Sequence, residues 1–263
     1  MTTTPAELLE MDLSTGEGDW IPTPHGNCLS EVLAENNLVE GRAVLELGAG
    51  SGNPTILFVR QGATHIVATE ITEAFLETTR QNVEQNASGA SVTYRVADWL
   101  NTEGTFDVVV TNPPFCVSGK QNRRYYIDSL ILDAHKRLNP GGTLIFVQSS
   151  MADLAKTLRR LDENGYDARV LGERSGPFRD YYFADETFME ESRAVENGFE
   201  TRDGIHYETL SVVAAGAEGA RVHVRLEDVR VVNQLAVTYA LGEGMKGEVL
   251  FTINRVPPPT TSR

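Results

Sequence analysis

The chain has 263 residues, enough for one large hydrophobic core with appended segments, and its 41% hydrophobic and 23% charged content excludes a disordered, fibrous or membrane-spanning composition. A formal net charge of −14 works against a phosphate-backbone partner, so nucleic acid is not expected unless a local basic patch overrides it. No window approaches the roughly eighteen consecutive apolar residues of a membrane span, and Met1 to Trp20 lacks the basic-then-apolar order of a secretory signal, which makes the cytoplasm the expected compartment.

Cys28 and Cys116 match no metal-ligand or redox spacing and read as unpaired thiols; no metal site is expected. Residues 1–40 form an N-terminal segment. From residue 41 short apolar runs alternate with amphipathic stretches, the pattern of a parallel sheet covered by helices. Ala43 to Leu47 is a first strand, Pro54 to Gln61 an opening helix and His65 to Glu70 a second strand. Thr72 is an N-cap for a helix reaching Asn86. Ser91 to Val96 and Phe106 to Thr111 are the third and fourth strands.

Ile127, Leu130, Ile131, Ala134 and Leu138 fall at helical spacing, and Asn139-Pro140-Gly141-Gly142 stops that helix before a fifth strand, Thr143 to Gln148. A helix from Met151 to Asn164 and a strand from Asp167 to Leu171 follow. About residues 174–205 the pattern breaks into an acidic, aromatic insertion with Phe178, Tyr181, Tyr182, Phe183 and Phe188, and Tyr207 to Ala214 returns as a strand. Residues 216–256 alternate apolar and polar side chains and read as a β-rich extension, which could pair with the sheet edge, close a pocket or make a homodimer interface. Residues 257–263 read as a disordered tail. The fold class is α/β: a doubly wound, Rossmann-like, seven-stranded sheet in a domain spanning 41–215, with helices on both faces and the β-rich extension after it.

Four sites carry chemistry. Glu46-Leu47-Gly48-Ala49-Gly50-Ser51-Gly52 follows a strand and precedes a helix, where Gly48, Gly50 and Gly52 let a ligand approach the backbone. Glu70, with Ile71 beside it, ends the second strand, where a carboxylate accepts hydrogen bonds from ribose hydroxyls of either a dinucleotide or S-adenosylmethionine (SAM). The glycine spacing departs from G-x-G-x-x-G. Glu46 would repel a pyrophosphate and favour the cationic groups of SAM, which makes SAM the expected cofactor. Asp98 is placed to accept a hydrogen bond from an adenine amino group, with Trp99 or Leu100 lining the base. Asn112-Pro113-Pro114-Phe115 ends the fourth strand; the prolines remove two amide donors and leave carbonyls as acceptors. Asn112 and Pro113 can each accept one N–H of a planar nitrogen, bringing its lone pair to bear on a methyl group, and Phe115 can stack on it.

Together these residues resemble the class I SAM-dependent methyltransferases with an Asn-Pro-Pro-Tyr/Phe motif, closest to the HemK-type glutamine methyltransferases and their small-domain relatives, over about residues 20 to 173. The resemblance implies that the glycine loop, Glu70, Ile71, Asp98, Trp99 and Asn112 contact SAM, and that Asn112 and Pro113 grip the acceptor nitrogen. Trp20 to His25 resembles the segment bordering the family's cofactor site, so His25 is a candidate pocket residue, with Pro114, Tyr125 and Tyr126 as further candidates on the acceptor side. Lys120, Arg123 and Arg124 could bind an acidic or phosphorylated substrate, but read first as a solvated face at a helix start. The expected activity is N-methylation of a protein glutamine or a small molecule. The rivals are a nucleic-acid base methyltransferase, an enzyme attacking another carbon of SAM, and a SAM-binding regulatory protein.

Overall fold

A computed structural model describes residues 3–14, 22–114, 124–184 and 186–217. Its strands are β1 (Ala43–Leu47), β2 (His65–Glu70), β3 (Val92–Val96), β4 (Phe106–Thr111), β5 (Leu138–Ser149), β6 (Asp167–Pro177), β7 (Glu200–Arg202) and β8 (Ile205–Gly216). They form one sheet in the order β3-β2-β1-β4-β5-β8-β6, with β7 paired to β8. Strands β1 to β5 run parallel, while β8 runs antiparallel to β5 and β6. The chain leaves β1 for β2 on one side and returns to β4 on the other, which makes the β1/β4 boundary the switch point where ligands of open α/β sheets bind.

The helices are α1 (Pro5–Leu9), α2 (Pro24–Glu35), α3 (Asn53–Arg60), α4 (Glu73–Asn86), α5 (Tyr125–Asp133), α6 (Leu154–Glu163) and α7 (Glu186–Arg193). Strand alternation sorts the apolar side chains into two layers. On one face Val44, Val108, Ile145 and Val212 pack with Leu29, Val32 and Leu33 of α2 and Phe58 of α3. On the other, Leu45, Val109, Phe146 and Val213 pack with Ile127 and Leu130 of α5 and Leu161 of α6. All of these are 2% exposed or less, so each contributes roughly 1.5–3 kcal/mol of burial. A smaller cluster of Met151, Phe178, Tyr182, Phe188 and Met189 holds the aromatic insertion together.

Local signals in the chain account for most boundaries. The Thr72 side chain accepts from the Phe75 N–H (3.3 Å) and starts α4, which ends at Asn86 as anticipated. Segment 22–35 is more than a border. The Thr23 side chain caps α2, Pro24 opens it, and its buried face joins the larger core. Two elements differ from expectation. Helix α5 ends at Asp133 and passes through a 3₁₀ turn, Ala134–Arg137, directly into β5, so Asn139 to Gly142 belongs to a strand rather than a helix stop. The β4–β5 register shifts there, and Gly142 is needed because a Cβ would lie 2.9 Å from the Asn139 carbonyl oxygen and 3.1 Å from that of Phe106. The sheet also runs further into the insertion than the pattern implied. Strand β6 continues to Pro177, paired with Tyr207, and β7 and β8 form a hairpin across Asp203 (φ +50°) and Gly204 (φ +80°). The β-rich extension and the tail, beyond residue 217, lie outside the described residues.

Candidate functional site

The glycine turn leaves β1 with Gly48, Gly50 and Gly52 at φ of +73°, +55° and +89°, a backbone that side chains strain to adopt. At Gly52 a Cβ would also press to 3.3 Å from the Thr79 carbonyl oxygen. Helix α4 fastens the turn from outside: the Thr79 hydroxyl donates to the Gly50 carbonyl (2.7 Å) and the Asn82 amide to that of Ser51 (2.9 Å). Glu70, at the tip of β2, completes the loop. One of its oxygens accepts from the Gly50 N–H (2.8 Å) and the other from the Ile71 N–H (3.0 Å), and the carboxylate is 7% exposed. Beside it the Ile71 side chain stands 59% exposed.

Glu46 lies under this loop, buried, and accepts a hydrogen bond from the Thr55 hydroxyl. Burial pushes its carboxyl up to about 8; the Thr55 bond opposes the rise and the nearby Glu70 charge adds to it. At neutral pH the ligand-free chain therefore holds Glu46 mostly protonated.

Past β3, Asp98 is exposed, and its backbone carbonyl accepts from the Asn101 N–H (2.9 Å). Trp99 adopts φ +50° and meets Tyr126 edge-on at 4.9 Å between ring centroids. Tyr126 in turn meets Tyr125 at 5.2 Å, edge to face, while Tyr125 is half exposed. The Trp99 indole N–H is buried with no hydrogen-bond partner.

Asn112 is the first residue past β4, partly buried, with Pro113 buried and Pro114 exposed; Phe115, Lys120 and Arg123 lie outside the described residues. The Asn112 amide nitrogen is 3.6 Å from where a Cβ on Gly26 would stand, an ordinary contact distance, so the first turn of α2 lies against the motif. Sequence reasoning passed over Gly26, which sits in no glycine-rich pattern. His25, its neighbour, is 4% exposed and belongs to the interior. Burial, reinforced by the Arg179 charge, drives its imidazole down to about 3.

Arg124 is not part of a solvated face. It is 6% exposed, and its guanidinium donates to the carbonyls of Ala152 and Asp153, to the Thr157 hydroxyl and to Asp128. It ties α5 to the start of α6 and is unavailable to an acidic substrate. Gln148, near the end of β5, is 2% exposed with both side-chain amide atoms unpartnered. Cys28 is buried and free, whereas Cys116 lies outside the described residues. Among the described residues, no group of three or more His, Cys, Asp or Glu side chains could hold a metal ion, and no helix is long and apolar enough to cross a membrane.

An acid at each of two adjacent strand tips, a glycine turn with open backbone and an asparagine-diproline corner across the switch point fit a cationic adenosyl ligand. Residues 26–168 match the methyltransferase small domain family, and the chain belongs to it. It is a SAM-dependent methyltransferase, and the site's residues suit that cofactor. A Methanocaldococcus jannaschii protein described as a protein N5-glutamine methyltransferase is 26% identical over 167 residues, covering 57% of this chain and 84% of that one. The ribosomal RNA small subunit methyltransferase C of Haemophilus influenzae is 31% identical over 147 residues, 56% of this chain and 42% of its own length. The chain spans only a third of a ribosomal protein L11 methyltransferase from Exiguobacterium, 33% of its length. In fold it is similar to the precorrin 8W decarboxylase of Methanobacterium thermoautotrophicum, with a TM-score of 0.52 at 13% identity over 78% of this chain and 96% of that one.

Proposed function

We propose that the chain methylates a planar amide or amino nitrogen, in a protein glutamine or a small molecule. The observation that carries this is the position of Asn112: it stands at the tip of β4, beside the β1 tip that bears the glycine turn, and against the first turn of α2. When bound, SAM supplies an electrophilic methyl group. The chain's own residues do the rest.

Glu70 keeps spare lone pairs on both oxygens after its two backbone bonds, enough to accept from ribose hydroxyls, while Ile71, Asp98 and Trp99 border the adenine. The Asn112 side-chain oxygen and the Pro113 carbonyl each accept an N–H of the acceptor nitrogen. They draw it out of conjugation and aim its lone pair at the methyl group, so that placement rather than a strong base supplies the rate. Pro114, exposed beside Asn112, borders the acceptor, whereas His25 is interior and Tyr126 packs against Trp99, with the half-exposed Tyr125 next to it. The glutamine methyltransferase name of the archaeal relative supports the amide reading. The rRNA methyltransferase at 31% identity favours a second one, an amino group on a nucleic-acid base, against which the net charge of −14 weighs.

Incubation with methyl-labelled SAM and cell extract, fractionated by size, tests the reading: label is expected on nitrogen in protein or metabolite. Label in salt-sensitive RNA complexes would favour the base reading, and label on carbon or oxygen would refute both. Separately, Glu70→Ala is expected to weaken SAM at least about tenfold, the worth of one buried charge-assisted hydrogen bond. Calorimetry checks it, and unchanged affinity would remove Glu70 from the cofactor site.

A further inference from the structure

From the end of α1 to Ser14 the chain lies against α3 and α4 and is fastened there largely through its own backbone. Arg60, the last residue of α3, donates from Nη1 to the carbonyls of Leu8 and Glu10 (2.9 Å each). The Asn86 side-chain amide accepts from the Asp12 N–H (2.9 Å) and donates to the Asp12 carbonyl (2.8 Å). One turn earlier on α4, the Asn82 amide does the same for Ser14, at 2.8 and 2.9 Å. Residues four apart on a helix are about 6 Å apart along its axis. Residues two apart in an extended chain face the same way and stand about 6.6 Å apart. Two asparagines at that helical spacing therefore take alternate residues of a strap in register, whatever its side chains.

The two asparagines differ in one further bond. Asn86 also donates to the Asn82 carbonyl of its own helix (2.8 Å), whereas Asn82 reaches out of the helix and donates to the Ser51 carbonyl in the glycine turn (2.9 Å). Asn82 is 0% exposed, and its oxygen and its amide nitrogen are both engaged, on the strap at one side and the turn at the other. A strap that lifts away would strand the Asn82 oxygen and one of its N–H groups in the interior, a costly state for a buried amide. The rest of the turn has no such tie to the strap, since the Gly50 carbonyl is held by Thr79 and the Gly50 N–H by Glu70.

We propose that Asn82 is a positioning residue for the cofactor: it couples docking of the strap, residues 8–14, to the shape of the glycine turn, so that a docked strap tightens SAM and bound SAM holds the strap down. This rests on the reading of the glycine turn as the cofactor site. With the strap undocked, the Asn82 amide turns toward whatever partners remain and the Ser51 carbonyl loses its donor. The turn then spends part of its time outside the geometry that takes the ligand, and the apparent affinity falls by that fraction. Linkage makes the effect mutual, so the ligand must raise the population of docked strap by the same factor. Neither Asn82 nor the strap needs to touch SAM for this.

The experiment is hydrogen exchange of the Ser14 and Asp12 backbone N–H groups in the full chain, followed by NMR with and without saturating S-adenosylhomocysteine, beside calorimetry of its binding. In the wild type the ligand is expected to slow both exchanges at least about fivefold, the low end of coupling between sites. Ser14→Pro removes the N–H that Asn82 accepts, at an exposed position and without touching the glycine turn, and should weaken S-adenosylhomocysteine by a similar factor. In Asn82→Ala the ligand should no longer slow exchange at Asp12, although Asn86, which holds Asp12, is unchanged. A merely structural Asn82 would lower the melting temperature and leave that response in place. A response at Asp12 that survives in Asn82→Ala, no response in the wild type, or unchanged affinity in Ser14→Pro would overturn the inference. If Asn82→Ala does not fold, the wild-type exchange and the Ser14→Pro affinity decide. Glu70→Ala separates the two readings: unchanged affinity there takes the glycine turn out of the cofactor site, whereas weaker binding in Glu70→Ala with none in Ser14→Pro sinks the coupling alone.

Discussion

Asn112→Ala is expected to cut methyl transfer by about 10²- to 10³-fold while leaving SAM affinity within a few-fold, a loss of the size seen when one preorganised hydrogen-bonding group is removed from a reacting centre. The reasoning is geometric. A conjugated nitrogen has its lone pair spread over the neighbouring π system, and the enzyme gains only from contacts that grow as that nitrogen pyramidalises. The Asn112 oxygen accepts an N–H whose acidity rises as the methyl group is transferred, so its loss is felt in kcat more than in KM. The fold should tolerate the change. Asn112 lies past the end of β4, is only partly buried, and has Gly26 rather than a large side chain against it. Single-turnover rates with saturating SAM, beside calorimetry of SAM binding, check both halves. Retained turnover would remove Asn112 from the catalytic machinery, and lost SAM binding would move it to the cofactor side.

Much of this architecture was legible in the chain because the parallel core writes itself as short β-branched runs. The expected bounds of β1, β2 and β4 coincide with the observed ones, and Thr72 named the start of α4 correctly. Where the reading slipped, two rules competed. Asn139 to Gly142 has the composition of a helix stop, yet the same glycines permit the close backbone approach of a strand irregularity, and pairing with β4 decided the outcome. The hairpin at Asp203-Gly204 carried a recognisable turn signal, hidden by the acidic and aromatic residues around it.

The site divides in the same way. The glycine turn, Glu46, Glu70 and the asparagine-diproline corner are local motifs whose places follow from the strand they end. Arg124 could not be assigned from composition, since its burial depends on carbonyls twenty-eight and twenty-nine residues away. Nor could the Arg179–His25–Glu208 cluster, which joins an insertion, a helix start and a strand far apart in sequence. Motifs reveal contacts made by neighbours. Contacts made by topology have to be seen.

Glu46 gives the second large effect, through pH. Its carboxyl sits at about 8 in the folded ligand-free chain against an ordinary value of 4.5. Between those values the folded state holds a proton that the unfolded state has released, so stability falls as pH rises through that window. The total change is on the order of a few kcal/mol, because each pKa unit corresponds to about 1.4 kcal/mol. Glu46→Gln keeps an oxygen for the Thr55 hydroxyl and has nothing to ionise, so the variant should lose this contribution and melt higher than wild type near pH 8. SAM binding should show the opposite dependence. A sulfonium near the β1 tip favours the ionised carboxylate, so binding to the wild-type chain releases a proton at neutral pH and tightens as pH rises toward 8. In Glu46→Gln the affinity should be weaker and nearly flat with pH. Calorimetry in buffers of different ionisation enthalpy counts the released proton, and thermal melts from pH 5 to 8.5 give the stability slope. An identical slope in wild type and variant would mean that Glu46 is ionised throughout, and that the charge on this strand tip is in place before any cation arrives.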